Sequence, residues 1–421
     1  MSLFLINELH KLNRQQWMSK EDLEAITLSK LKRQVSLAWE FSPFYRKHFA
    51  AIDFQPEDLR SLSDLQFLPI IHKSDILAAG EDLYNTGIKS SNSVWLKTSG
   101  SSGSPLSLPF MRQDKDRRAL KELRALFANG YKMTDRMLIF VEPRCLVECK
   151  GLPQRLGLMR RNYVSIFDPE HAQIAKIKSH RPHVIYGYTS TLRILAEAIL
   201  SGRNPIHSPK ILMSSAELLD PVTRRLLKNA FGAEPLDFYG SMEFGWIAWQ
   251  CEERNGYHIN SDCLIVELLQ DGTPVKPGEE GELVITNLHS DAAPLIRYAT
   301  GDVGTLGRQK CSCGRALPLL SSIHGRLVDF VLSPDGRKLS PYSVTCAVED
   351  IPGVQQFQVV QESILDIKVR LLGANGVDDE RIRSAVTAAI GFKVRVSVER
   401  VSRLPLEPNG KFKVVKSDVY H

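Results

Sequence analysis

From about residue 114 onward, helical stretches alternate with short unbroken apolar runs, and no other feature of the chain constrains its fold as strongly. Met137 to Val141, His183 to Tyr188, Lys210 to Met213 and Pro235 to Tyr239 read as buried strands. Between them lie stretches with helix-start signals. Asp168-Pro169 and Asp220-Pro221 each offer a capping carboxylate followed by proline at the first helical position. Such alternation predicts a mostly parallel sheet with helices packed on its faces, and ligands of such sheets sit in loops at the carboxyl ends of the strands.

The flanking regions follow other patterns. The first hundred residues read as helices with short loops. Within them Leu23, Ile26, Leu31, Val35, Leu37, Ala38 and Phe41 recur at helical spacing until Ser42-Pro43 ends the run. Cys263 to Leu269 and Glu282 to Asn287 read as antiparallel strands around the turn-rich segment from Asp271 to Gly281. Beyond Gly325-Arg326 the pattern changes again. Residues 355–361 and 364–372 alternate like two paired strands, 378–390 reads as a helix and 393–398 as a strand. A chain of 421 residues exceeds the size that one hydrophobic core usually serves. The expectation is an α/β protein: a large N-terminal domain (1–325) with mostly parallel sheets plus a β-subdomain, and a small α+β C-terminal domain (326–421).

Charge and composition exclude several classes. A net charge of +6 suits an anionic small ligand but forms no basic tract of the kind that binds nucleic acid. The densest charge run, Lys115 to Arg124, reads as a solvated helix face. No apolar stretch reaches membrane-spanning length, and the N-terminus lacks the basic segment and long apolar run of a signal peptide. Seven cysteines in such a chain read as reduced thiols or metal ligands, and the cytosol is the expected compartment.

Five segments carry candidate chemistry. Lys97 to Pro105 (KTSGSSGSP) is a glycine- and hydroxyl-rich loop able to wrap an anion, although a flexible linker has the same composition. It lacks the ending of a Walker A loop. Asp237 to Glu243 (DFYGSME) follows a predicted strand and can present Tyr239 as a stacking face and Glu243 as a hard oxygen ligand for magnesium. Arg297 to Gly304 (RYATGDVG) places Asp302 in a tight turn, where its carboxylate can accept from ribose hydroxyls or simply stabilise the turn. Gly325-Arg326 with Asp329 marks the domain boundary. Leu404 to Lys413 (LPLEPNGKFK) projects Lys411, which in isolation is only a solvated charge.

Taken in order, TSGSSGSP, YGSME, YATGD, GRLVD and PNGK resemble the ANL adenylate-forming superfamily. SPFYRKHF near the start and SSAEL before the YGSME turn are most similar to its phenylacetate–CoA ligase and CapK-like (coenzyme F390 synthetase-like) branch. The resemblance runs from about Ser42 to Lys413. It implies ATP- and Mg2+-dependent activation of a small carboxylic acid, aromatic in this branch, to an acyl-adenylate, and transfer to CoA by an AMP-forming acid–thiol ligase. Residue by residue, it implies that Thr98, Ser99, Gly100, Ser101, Ser102 and Gly103 hold the ATP phosphates. Ala216 and Glu217, with Tyr239, Gly240, Ser241 and Met242, would frame the adenine and the acyl pocket, whose walls would include Tyr188. Glu243 would coordinate magnesium, Asp302 hold the ribose, and Arg326 reach the nucleotide. Lys411 would enter from a mobile C-terminal domain and meet the reacting carboxylate. Ser104 and Val328 depart from the pattern of many relatives. The sequence leaves open a carrier protein or amine as acceptor, a non-catalytic nucleotide-binding scaffold, and a homodimer.

Cys251, His258, Cys311 and Cys313 form a separate set whose number and type match a structural zinc site, and CapK-like relatives carry a similar one. The alternative is three small core residues and a satisfied core histidine. Cys145, Cys149, Cys263 and Cys346 lack such partners and read as structural.

Overall fold

The computed structural model describes residues 3–88, 93–97, 106–141, 151–166, 168–202, 205–326, 331–336, 338–339, 344–345, 347–348, 351–354, 356–372, 376–405 and 413–419. It divides into two compact units. The first comprises Met1–Met133, Leu236–Thr300 and Gly304–Ile323; the second comprises Thr134–Pro235, Gly301–Val303 and His324–His421.

The first unit opens with helices Leu3–Gln15, Lys20–Phe41 and Pro43–Ala50. The second of these starts where Ser19 accepts a hydrogen bond from the Asp22 N–H, and it buries Leu23, Thr27, Leu31, Gln34, Val35 and Ala38 along one stripe. It stops at Ser42, which caps the next helix. Leu31, Val35, Tyr45 and Phe49 share a core with Ile247, Leu283 and Ile285. Strand Leu264–Gln270 pairs antiparallel with Glu280–Asn287, as the turn-rich segment between them predicts. Leu236–Ser241, Gly245–Trp249, Tyr257–Ile259 and Leu319–Arg326 form a further antiparallel run. These short strands were not legible as a set, because each is brief and most of their residues are buried on both faces.

In the second unit four parallel strands lie in the order Ile211–Ser215, Val184–Tyr188, Arg136–Val141, Arg160–Ser165. Helices Glu170–His180, Thr189–Ser201 and Pro221–Phe231 supply Ile174, Ile177, Leu192, Leu195 and Leu227 to the core beside them. The strand Arg160–Ser165 escaped the sequence reading because RRNYVS is polar and only its last two residues are buried. Asp220 caps its helix as expected, accepting from the Thr223 N–H at 2.8 Å, with Pro221 in the first turn and Gly232 at φ +70° closing it. Asp168 does not. That helix begins at Glu170 with Pro169 itself in the capping position and no side-chain cap. Gln173 does the local work instead, its Nε2 donating to the carbonyls of Ser165, Ile166 and Asp168.

Toward the C-terminus four strands lie in the order Arg395–Val401, Asp366–Leu372, Gln356–Gln361, Val415–Ser417. Helix Asp379–Ile390 buries Ile382, Val386 and Ile390 in a core with Val359, Ile367, Val369 and Leu371. This matches the expected α+β pattern. Among the described residues no helix is long and apolar enough to cross a membrane.

Candidate active site and metal centre

In the second unit, two expected site segments follow neighbouring parallel strands. Tyr188 ends one strand and pairs in register with Ser215, which ends the next, so Tyr188 and Ala216 emerge side by side at the carboxyl ends. The Thr189 and Ser214 hydroxyls lie 2.6 Å apart, and Thr189 Oγ1 also donates to the Glu217 carbonyl at 3.1 Å. Ala216 is exposed at φ +70°, a left-handed conformation that costs a non-glycine residue about 1 kcal/mol or more. The Glu217 carboxylate accepts from the Ser190 N–H at 2.6 Å and the Ser190 hydroxyl at 3.0 Å. It therefore sits on the first turn of helix Thr189–Ser201, where the helix dipole favours an anion. Asp302 lies within strand Tyr298–Leu306 and not in the tight turn expected of it; Gly301 at φ +74° kinks that strand just before it.

In the first unit, Tyr239 to Glu243 form the bend between strands Leu236–Ser241 and Gly245–Trp249, with a register shift at Tyr239/Gly240. Gly240 is required there: a Cβ would stand 2.6 Å from the Gly245 carbonyl oxygen. Ser241 Oγ accepts from the Phe244 N–H at 3.3 Å, Met242 is exposed and Glu243 is half-buried. The Glu243 carboxylate lies within electrostatic reach of Arg118. The bend is held from outside by helix Arg112–Ala128. Arg118 donates to the Met242 carbonyl at 2.7 Å and the Glu243 carbonyl at 3.3 Å, and Lys121 donates to the Phe244 carbonyl at 2.8 Å. The charge run read as a solvated face is so only in part: Lys115 is exposed, whereas Lys121 and Arg124 are buried, and Arg124 pairs with Asp262 at 2.5 Å. The missed signal was the spacing. Arg118, Lys121 and Arg124 recur every third position and so share one face.

Cys251, His258, Cys311 and Cys313 converge in the first unit, their ligand atoms all within 4.8 Å of one another. His258 lies in strand Tyr257–Ile259, opposite Trp249 on one side and Leu319 on the other. Cys251 follows the Trp249 strand, and the Cys-Ser-Cys turn precedes the Leu319 strand, so the sheet pairing brings the four together. Cys251 Sγ lies 3.6 Å from Cys311 Sγ, and Cys313 Sγ lies 3.3 Å from His258 Nε2. A disulfide needs sulfurs about 2.05 Å apart, whereas ligands on a tetrahedral zinc stand roughly 3.5–3.8 Å apart. The spacing fits the metal and not the disulfide.

The electrostatics divide: a neutral imidazole and a lowered thiol suit a cation, whereas a thiol held protonated must first lose its proton. Burial, then the Arg315 guanidinium, push the His258 imidazolium down to about 4, so the ring is neutral at physiological pH. Burial pushes the Cys251 thiol up to about 12. At Cys313 burial acts the same way, but hydrogen bonds with the Arg315 backbone and side chain outweigh it and hold the thiol below its usual range. Arg315 also stacks over Trp17 and Trp249 and donates to Gln16 Oε1 at 2.9 Å, which ties the end of the first helix to this turn.

Thr98, Ser99, Gly100, Ser101, Ser102, Gly103 and Lys411 lie outside the described residues, as do Cys145, Cys149 and Cys346. Arg326 ends strand Leu319–Arg326, and its side chain also lies outside them. Cys263 is buried, as a structural thiol should be.

Comparison with known proteins extends the picture. Residues 331–418 match the family described as the CapK C-terminal domain. The chain is 27% identical to phenylacetate-coenzyme A ligase of Thermus thermophilus over 94% of either chain. It is 29% identical to the Escherichia coli protein of the same name over 76% of this chain and 75% of that one. A crystal structure of 2-hydroxyisobutyryl-CoA ligase with a bound acyl-adenylate superposes with a TM-score of 0.81, covering 96% of this chain and 91% of the other at 22% identity.

Proposed function

From a chain with the fold of the adenylate-forming ligases and phenylacetate–CoA ligases among its relatives, we propose an enzyme that activates a small carboxylic acid with ATP as an acyl-adenylate and passes the acyl group to CoA. The observation that carries this reading is the extent of the likeness, 94% of this chain and of the Thermus protein. Residues 331–418, a range that includes Lys411, also match the CapK C-terminal domain family. An aromatic acid is the finer reading, supported by those relatives' names and by Tyr188 and Tyr239 among the expected pocket walls.

The chemistry asks little of general bases. A carboxylate is already nucleophilic at neutral pH; the obstacle is its repulsion from a polyphosphate and the charge that builds up at the α-phosphorus. The Thr98–Gly103 loop would hold the phosphates, Asp302 the ribose, and Lys411 the reacting carboxylate and α-phosphate. Ala216 and Tyr239 would flank the adenine, with Arg326 beside the nucleotide. The Glu217 carboxylate is engaged by Ser190, so its part is to fix the shape of the Ala216 bend. Glu243 would hold Mg2+, which when bound neutralises phosphate charge. Residues 326–421 would then rotate, withdrawing Lys411 so that the thiol of CoA can approach.

The cysteine–histidine set would hold one zinc ion. All four positions are filled by protein, so the ion would staple the sheet and perform no chemistry.

ATP–pyrophosphate exchange across aromatic, aliphatic and amino acids tests the first half-reaction, with exchange expected for one acid class. Mass spectrometry after adding CoA should then show the thioester. An acyl-adenylate that persists unchanged with CoA would transfer the reading to a carrier protein or amine acceptor.

A further inference from the structure

Arg118, Lys121 and Arg124 are three cations on the inward face of one helix, and two of them serve a single turn. Arg118 takes the carbonyls of Met242 and Glu243, and Lys121 takes that of Phe244. The Met242 carbonyl belongs to the peptide before the Glu243 Cα, and the Glu243 carbonyl to the peptide after it. Both peptide units flanking that Cα are therefore pinned by one guanidinium, and the next unit by the lysine. With both planes fixed, the direction of the Glu243 Cα–Cβ bond is fixed as well.

The fit of the helix to the turn is close. Gly245 sits at φ +66°, and a Cβ there would stand 3.2 Å from Arg118 Nε. Gly240 on the other limb cannot carry a Cβ against the Gly245 carbonyl. The turn is closed by its own backbone on one side and by the helix cations on the other. Burying these cations is costly, and a neutral donor would satisfy a carbonyl with less desolvation. Burial draws Lys121 down to about 8 and also lowers Arg118, which feels the carboxylates of Glu122 and Glu243.

We propose that Arg118 and Lys121 are positioning residues for Glu243: by pinning the turn they aim its carboxylate and so set the enzyme's affinity for the divalent cation that accompanies ATP. This rests on the adenylating function proposed above. Both residues donate to backbone carbonyls of the turn.

The test uses the full-length protein with Arg118→Met and Lys121→Met, which keep an apolar stem and remove the donors, and Arg118→Lys and Lys121→Arg as conservative partners. In ATP–pyrophosphate exchange the methionine variants should need roughly tenfold more Mg2+ for half-maximal rate, the effect of one charge-assisted hydrogen bond. The rate at saturating Mg2+ and the KM for the acid should stay within about threefold, because the lesion concerns aim and not the reacting groups. Lys121→Arg should restore most of the Mg2+ affinity. An unchanged Mg2+ requirement in both methionine variants overturns the proposal, as does a loss of rate that saturating Mg2+ leaves unrepaired. Should Lys121→Met fail to fold, the half-exposed Arg118→Met decides alone. Absence of exchange with every acid in the wild-type protein counts against the adenylating function instead. In that case Mn2+ affinity in the presence of ATP, read by electron paramagnetic resonance, still decides the positioning: tenfold weaker binding in Arg118→Met supports it, and equal binding overturns it.

Discussion

Lys121 illustrates how burial turns a side chain's ordinary behaviour around. It is 5% exposed, and its amine titrates near 8 where an ordinary lysine titrates near 10.5. In the unfolded chain the amine keeps its proton up to the higher value. Between pH 8 and 10.5 the unfolded state therefore binds more protons than the folded one, and stability rises with pH. Measured against Lys121→Met, which lacks the group, the wild-type protein should gain on the order of 3 kcal/mol across that window. Urea midpoints of the two proteins that keep a constant separation from pH 7.5 to 10.5 would show that the amine is hydrated. In the proposed mechanism Lys411 would act in the opposite sense, as a charge brought to the reacting centre. Lys411→Ala should slow adenylation by about 10²–10³ while sparing thiol transfer from synthetic acyl-adenylate. Equal losses in both half-reactions would remove its assigned role.

At the scale of elements, pairing between short strands does what sequence distance conceals. Cys251 and Cys313 are far apart in the chain, yet the register Leu319↔His258 and Trp249↔His258 makes them neighbours. Metal binding and folding are linked when thiolates must be assembled by the fold. Cys311→Ser should therefore lower both zinc content and melting temperature, while the folded fraction keeps a similar affinity for its acid. Protein prepared without chelators that carries no zinc, or that yields all of these thiols to a modifying reagent in the native state, would return the set to the role of core residues. A second prediction concerns the bend after strand Ile211–Ser215. Ala216 already holds φ +70°, so a β-branched residue there is strained further and glycine is relieved. Ala216→Val should lower stability by about 1–2 kcal/mol and Ala216→Gly should not, as thermal melts can show.

For the whole molecule, the question is whether residues 326–421 are a module. Among the described residues their core gathers Val359, Ile367, Val369, Ile382 and Val386 around helix Asp379–Ile390 and a four-stranded sheet, all from this segment. Expressed alone, residues 326–421 should give a dispersed amide spectrum and a single cooperative melt. A collapsed spectrum would show that this segment depends on the remainder of the second unit for its fold.

Local pattern was sufficient for much of this protein. Apolar runs of strand length, the Asp220-Pro221 start and the Ser42-Pro43 stop are short-range features, and the structure has its elements there. The YGSME motif likewise marked a bend, because Tyr239–Glu243 needs particular residues at fixed spacing. Only the tertiary structure decided which way a polar residue faces. Lys121 and Arg124 read as solvated because charge ordinarily stays in water, and they are buried because the carbonyls of the Phe244 turn and the Asp262 carboxylate accept their protons. Asp168 offers its carbonyl to Gln173 and caps no helix, and Glu217 is drawn to the first turn of a helix by Ser190, distant from it in sequence. Burial of a charge is settled by the partner across the fold, and no periodicity within the chain encodes that partner.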